Sequence, residues 1–394
     1  MQIREYLYGE KSVYSLIFIT LTILVLVYGS LFHFLDYNNF DAPSYFGGSR
    51  LLFKLPVALD FQSRLSKPLT LLVPGFMEWA FNIHPRFTYW SQNILFFYLC
   101  GFSIYKLFAV IFKDTKIAFG GMMVYCTCQP LACFSFLILS DVSGWFFGIY
   151  SIYLSTIFLL ESPQSLKKLW IIGFIVGIGC LFKESAIVGL IFLFTIILFN
   201  PTSIQIKIKQ LSIVIIGFLI PFATSFFIIQ HFYADSVIKR MHDGYKDTEH
   251  DTFMLSQLKQ IYRVIDVYWF LFLFGLRNVY LVLKAKQNTV LLKSVLLSIV
   301  IIGISMQIWP YLLDRILFML APFMVIIILY GLQYFANYKT ILITSAGIIN
   351  IGMTYAIYRF QMNGMILIGT VLFTIILGMI IIHVYQKDKT FIKV

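Results

Sequence analysis

Residues 169–199 read LWIIGFIVGIGCLFKESAIVGLIFLFTIILF, an apolar run broken once, at Lys183 and Glu184. Taken as two helices, 169–182 and 185–199, the halves reach about 21–22 Å each at 1.5 Å per residue. The hydrocarbon core of a bilayer is ~30 Å thick. The Lys183-Glu184 turn is then recessed below the outer surface, where an ion pair costs several kcal/mol unless it faces protein or water, and marks function by default. One long tilted helix with a self-neutralising pair is the alternative. Gly173 and Gly177 give the small-xxx-small spacing of close helix packing.

The same apolar pattern recurs along the chain. Of its 394 residues 60% are hydrophobic and 12% charged, with a mean hydropathy of +0.86. A soluble domain carries about twice that charge. The sequence predicts an all-α polytopic membrane helix bundle of about twelve spans, near 13–34, 90–112, 117–139, 143–160, 169–182, 185–199, 211–229, 264–284, 290–309, 312–335, 340–358 and 364–385, in a single integral-membrane domain over 1–394. Arg4 and Lys11 precede an apolar run too long for a signal peptide and without a small-residue cleavage site, so an uncleaved first span is expected.

Lysines fix the orientation. Lys113, Lys116, Lys167, Lys168, Lys207, Lys209, Lys284, Lys286, Lys339, Lys387, Lys389 and Lys393 fall on the face that carries both predicted termini, so that face is expected to be cytoplasmic. The formal net charge of +12 therefore reports topology and gives no reason to expect a nucleic-acid partner. All five cysteines lie within predicted spans, which suggests neither a disulfide framework nor a zinc site, and Cys126 and Cys128 read as helix packing.

Cytoplasmic connections are too short to hold a nucleotide-binding domain, and neither a dinucleotide fingerprint nor a phosphate loop occurs. Two external segments are long, 35–89 and 230–263, and long loops in compact proteins are commonly functional. In 35–89 apolar stretches alternate with Lys54, Asp60, Arg64, Lys67 and Glu78, the pattern of amphipathic helices lying in the outer interface. Residues 69–83 could instead cross the membrane, but a crossing there would invert every later loop and spoil the lysine bias. External acids near spans are few: Asp36, Asp41, Asp60, Glu78, Asp141, Glu184, Asp266 and Asp314, the last beside Arg315. Asp141 stands at the mouth of a helix, where capping and chemistry are both open readings.

This arrangement resembles the GT-C class of integral-membrane glycosyltransferases that use polyprenyl-phosphate sugars, the superfamily of the protein mannosyltransferases and the aminoarabinose lipid A transferase. The resemblance runs from the first span to about residue 200 and resumes near 310–332. It rests on Asp41 with Tyr45, on Lys67-Pro68-Leu69, on Pro130 followed by Ser140-Asp141, on Lys183-Glu184-Ser185 between two short spans, and on Arg315 followed by Ala321-Pro322. The family's second acid after the first is replaced here by Ala42, and its aromatic after the late arginine by Ile316.

The resemblance implies transfer of a sugar from a polyprenyl-phosphate donor to a hydroxyl on the non-cytoplasmic face, by direct inverting displacement. The acceptor is a glycan, lipid or protein, and the membrane lipid is itself a partner. Asp41 is then the catalytic base, with a pKa expected to be raised by partial desolvation. Lys183 and Arg315 hold the phosphate, and Tyr45 lines the substrate site. Asp141 is grouped with Asp41 as catalytic and Glu184 with the substrate-binding residues, the two orienting the acceptor, positioning Lys183 or binding a cation; no cofactor is required, a divalent cation is allowed, and its ligands are unknown. The alternatives are a polymerase of lipid-linked glycans, which typically leans on large late external loops, and a transporter or flippase, which typically shows internal repeats.

Overall fold

The structure, a computed structural model, describes residues 11–32, 41–57, 62–161, 165–233, 263–305, 314–335, 338–360 and 368–380. Among them there is helix and no strand. Helix α1 (Lys11–Phe32) buries Ile17, Leu21, Leu24, Tyr28 and Phe32, spaced three or four residues apart, while Leu16, Phe18, Ile19, Ile23 and Leu26 are exposed. Apolar side chains on both the packed and the open face are what a bilayer asks of a helix, because lipid replaces water on the outside.

Three helices follow in quick succession, each started by a proline. They are α2 (Ala42–Leu52), α3 (Pro68–Phe81) and α4 (Pro85–Phe112), with Pro43, Pro68 and Pro85 in their first turns, where the missing N–H has no helical partner to lose. Helix α3 has 14 residues, about 21 Å, and it ends in a left-handed Asn82. Helix α4 runs for 28 residues and ends in a left-handed Lys113. Asp114 then caps α5 (Thr115–Cys126) by accepting from Lys116 and Ile117.

The predicted span 117–139 is not one helix. It stops at Thr127, restarts as the short α6 (Gln129–Phe134), and runs through residues 135–140 without helical structure. Pro130 is the cause: it has no N–H to offer the Cys126 carbonyl four residues back, and its ring disfavours helix in the residue before it. Tyr28 of α1 donates its hydroxyl to that orphaned carbonyl at 2.7 Å.

Next come α7 (Asp141–Glu161), α8 (Leu166–Phe182), α9 (Val188–Phe199), α10 (Ile204–Tyr233), α11 (Trp269–Lys284), α12 (Thr289–Ser305), the single turn α13 (Asp314–Leu317), α14 (Ala321–Tyr334) and α15 (Lys339–Phe360). A last apolar helix covers Ile368–Ile380. Gly173 and Gly177 of α8 lie against the backbone of α10 at Val214 and Phe218, as their spacing suggested. The segment Phe318–Leu332 is surrounded by protein and forms the centre of the bundle. Cys100, Cys126, Cys128, Cys133 and Cys180 form no disulfide.

Among the described residues six helices are long and apolar enough to cross a membrane: Ser12–Phe32, Pro85–Phe112, Asp141–Glu161, Ile204–Phe227, Arg315–Gln333 and Lys339–Ile357. Three shorter apolar ones cover Glu184–Phe199, Thr289–Ser305 and Ile368–Ile380. The other three expected spans fall on α8, on α11 and on the broken α5–α6 pair. This is an all-α integral membrane protein, and six of the twelve expected spans are described helices long and apolar enough by themselves to cross. Hydropathy measures how apolar a segment is and does not see a proline break or a helix cut short by a charged turn.

Candidate active site

The run 169–199 is two helices, not one. After Phe182 the chain extends at Lys183 (φ −159°, ψ 133°), makes a 3₁₀ turn over Glu184–Ile187, and only then enters α9. Gly144, one turn into α7, makes this possible: a Cβ there would meet the Lys183 Cβ and the Ser185 hydroxyl. The turn thus sits against the start of α7, which carries Asp141 as its first residue.

Four segments distant in sequence meet at this point. Asp41 precedes α2 and accepts the N–H groups of Ser44 and Tyr45 on its carbonyl. Its carboxylate is held from both sides, Oδ1 by Arg64 Nη2 at 2.8 Å and Oδ2 by Arg315 Nη2 at 3.2 Å. Arg64 also donates to the Ser44 hydroxyl at 2.8 Å, and its guanidinium lies 4.5 Å from the centre of the Tyr45 ring, a cation–π contact. The Tyr45 hydroxyl pairs with Ser140 Oγ at 2.8 Å.

Asp141 is 2% exposed. Lys183 Nζ lies 3.6 Å from its Oδ1 and Arg315 Nη1 3.6 Å from its Oδ2. Those separations are charge contacts, too long for hydrogen bonds, and Oδ2 is buried with no hydrogen-bond partner. Between capping and a place in the charged cluster, the carboxylate faces the cluster. Lys183 also approaches Glu184 at 3.4 Å, and Glu184 is bound from its other side by Lys67 at 3.1 Å. Thr70 fixes the start of α3 to the same turn by donating to the Phe182 carbonyl at 2.7 Å.

Asp41, Tyr45, Asp141, Lys183, Glu184 and Arg315 therefore stand together. Arg64 and Lys67 complete the cluster and had no part in the expected site. For Lys67 a signal existed: it occupies the N-cap position of α3, where the helix dipole disfavours a cation. Arg64, on a 3₁₀ turn over Gln62–Ser66, had none. Glu78 is elsewhere, in a bidentate pair with Arg50 that joins α3 to α2. Asp36 and Asp60, and the side chains of Asp266 and Asp314, lie outside the described residues. Among the described residues no group of three or more His, Cys, Asp or Glu is placed to hold a metal ion.

Counting the described side chains of the cluster, the cations Arg64, Lys67, Lys183 and Arg315 outnumber the anions Asp41, Asp141 and Glu184 by one. Two titrating groups register that surplus. Burial pushes the Asp41 carboxyl up, but Arg64 and Arg315 outweigh it and hold the pKa below the ordinary carboxylate value. This reverses the expected upward shift: desolvation operates, and the paired guanidiniums win. Burial likewise pushes the Tyr45 phenol up, and Lys67, Lys183 and Arg64, opposed by Asp141, bring it below the usual tyrosine value. A positive potential that overcomes burial of a phenol suits a bound anion.

No family model matches the sequence, and no curated protein does. Among solved structures, ArnT from Cupriavidus metallidurans bound to undecaprenyl phosphate matches with a TM-score of 0.66 at 12% identity, over 95% of this chain and 72% of that one. ArnT from the same organism in the apo state matches with a TM-score of 0.60 at 11% identity, over 92% and 70%. The chain shares the fold of these two ArnT structures.

Proposed function

We propose that the protein transfers one sugar from a polyprenyl-phosphate donor to a hydroxyl of a glycan, lipid or protein acceptor. The observation that carries this reading is the cluster of four cations and three carboxylates, with its surplus positive charge, drawn together at one place in a GT-C fold. ArnT, which shares the fold, has been seen with undecaprenyl phosphate bound. A polyprenyl-phosphate sugar is a phosphodiester with one negative charge, which matches the surplus.

In this reading Lys183 and Arg315 hold the phosphate, Arg315 through its planar fork and Lys183 as a point charge. Asp41 takes the proton of the acceptor hydroxyl as its oxygen attacks the anomeric carbon, while the lipid phosphate leaves with the bonding electrons. One displacement inverts the configuration. Asp41 is a poor base while two guanidiniums hold it, so the donor phosphate also activates it: by drawing Arg315 to itself it releases one carboxylate oxygen. Asp141 keeps Lys183 and Arg315 in place.

The lysine bias supports a non-cytoplasmic face for this chemistry, with both termini on the other side. Residues 35–89 form the outer loop, with α2 and α3 in the membrane interface, and 230–263 contribute to acceptor choice. The test is turnover of short-chain polyprenyl-phosphate monosaccharides by the protein in vesicles supplied with acceptor extract. Consumption of one donor supports the transferase and names the sugar. If every donor survives, the reading fails and the polymerase and the transporter move ahead of it.

A further inference from the structure

Asn93 lies inside α4, a helix long and apolar enough to cross the membrane, and is 1% exposed. Asparagine is a poor helix former, and in such a place an amide needs partners. Its Nδ2 donates to the Leu137 carbonyl at 2.6 Å and to the Leu139 carbonyl at 3.2 Å, so both of its N–H groups are used, while Oδ1 has no partner. Both acceptors belong to residues 135–140, the buried non-helical stretch left by the break at Pro130.

Irregular backbone at membrane depth persists only where protein satisfies its polar groups. Here the Leu137 carbonyl takes the Asn93 amide and the Leu139 N–H, the latter at 2.8 Å. The stretch leads directly into Ser140, which pairs with Tyr45, and Asp141, which faces Lys183 and Arg315. Two turns along the same face of α4, Cys100 reaches the Val142 carbonyl at 3.6 Å. The face of α4 that carries Asn93 is thus the template on which the start of α7 is laid.

We propose that Asn93 is a positioning residue: by tying the Leu137 and Leu139 carbonyls to α4 it sets where Ser140 and Asp141 enter the charged cluster. The inference rests on the transferase reading only for what Asp141 does there; the tether itself stands on geometry.

Two measurements test it separately. Hydrogen exchange of Asn93→Leu, which keeps the branched shape and removes the donor, is expected to loosen peptides covering 135–144 and to leave 169–199 at wild-type protection. Unchanged exchange at 135–144, or equal loosening of both regions, overturns the tether. Asn93→Ser, which keeps a donor, is the second variant if Asn93→Leu does not fold, and is expected to retain most of the protection.

For activity, transfer from the polyprenyl-phosphate donor panel is compared in Asn93→Leu, Asp141→Asn and the double variant. We expect about a tenfold fall in kcat with little change in donor KM for Asn93→Leu, and no further fall when it is added to Asp141→Asn, because residues acting as one unit are not additive. Full additivity overturns the positioning role. Wild-type activity in Asp141→Asn sinks the role given to Asp141, and with it the function of the tether, while the exchange result stands by itself.

Discussion

Two charged contacts of this chain differ in kind. Arg50 and Glu78, between α2 and α3, form a bidentate pair at 2.7, 2.9 and 3.1 Å, with Arg50 40% exposed. Asp141, by contrast, is buried, has its cations at 3.6 Å, and keeps one oxygen without a hydrogen bond. Short, forked and satisfied geometry is what a structural pair needs. A buried carboxylate whose cations stand beyond hydrogen-bond range calls for another explanation, and we propose that Lys183 and Arg315 keep their N–H donors for a bound anion. Charge content alone does not separate the two; satisfaction does.

The contrast is broken most sharply at Asp41. Asp41→Asn, which keeps the shape and removes the base, should lower transfer by about 10²-fold or more while the protein still folds. Near-normal turnover would put Asp41 on the structural side of the comparison.

A smaller effect is expected in the pH profile. Asp41 must be ionised to act, and Arg64 and Arg315 hold its folded pKa below the ordinary 3.8. The stability this pairing contributes is present above the unfolded pKa and is lost as pH falls through the lowered folded value. In Arg64→Gln one of the two cations is gone, so the acidic limb of kcat/KM should move up in pH. A limb that stays in place or moves down would show that Arg64 does not set the Asp41 charge.

The smallest effect belongs to the satisfied pair. Glu78→Gln should leave transfer within about twofold and cost about 0–1 kcal/mol in a thermal melt, the range for a partly exposed ion pair. A loss as large as that of Asp41→Asn would erase the distinction.

The sequence reached the membrane class and the helices because apolar runs survive any error in their ends. It also held the clustered acids Asp41, Asp141 and Glu184 in plain view, because in a chain this poor in charge an acid near a span end stands out. It missed the break before Pro130, since a window average does not register which carbonyl loses its donor or that Tyr28 replaces it. Arg64 was hidden for the opposite reason: external loops contain other cations, and only the packing of the 3₁₀ turn brings it to Asp41, whereas Lys67 carried a signal at the start of α3 that did not name Glu184 as its partner. The direction of the Asp41 shift followed from the same omission, because desolvation could be foreseen and the pair of guanidiniums could not.

If the under-satisfied cluster is a phosphate site and the satisfied pair is not, the two must differ in lipid binding. Binding of undecaprenyl phosphate by the purified protein tests this most directly, measured at one fixed salt concentration for wild type, Lys183→Ala, Arg315→Ala and Glu78→Gln. At least tenfold weaker binding is predicted for the Lys183 and Arg315 variants, and wild-type binding for Glu78→Gln. Equal affinity in all four would contradict a phosphate site at the cluster.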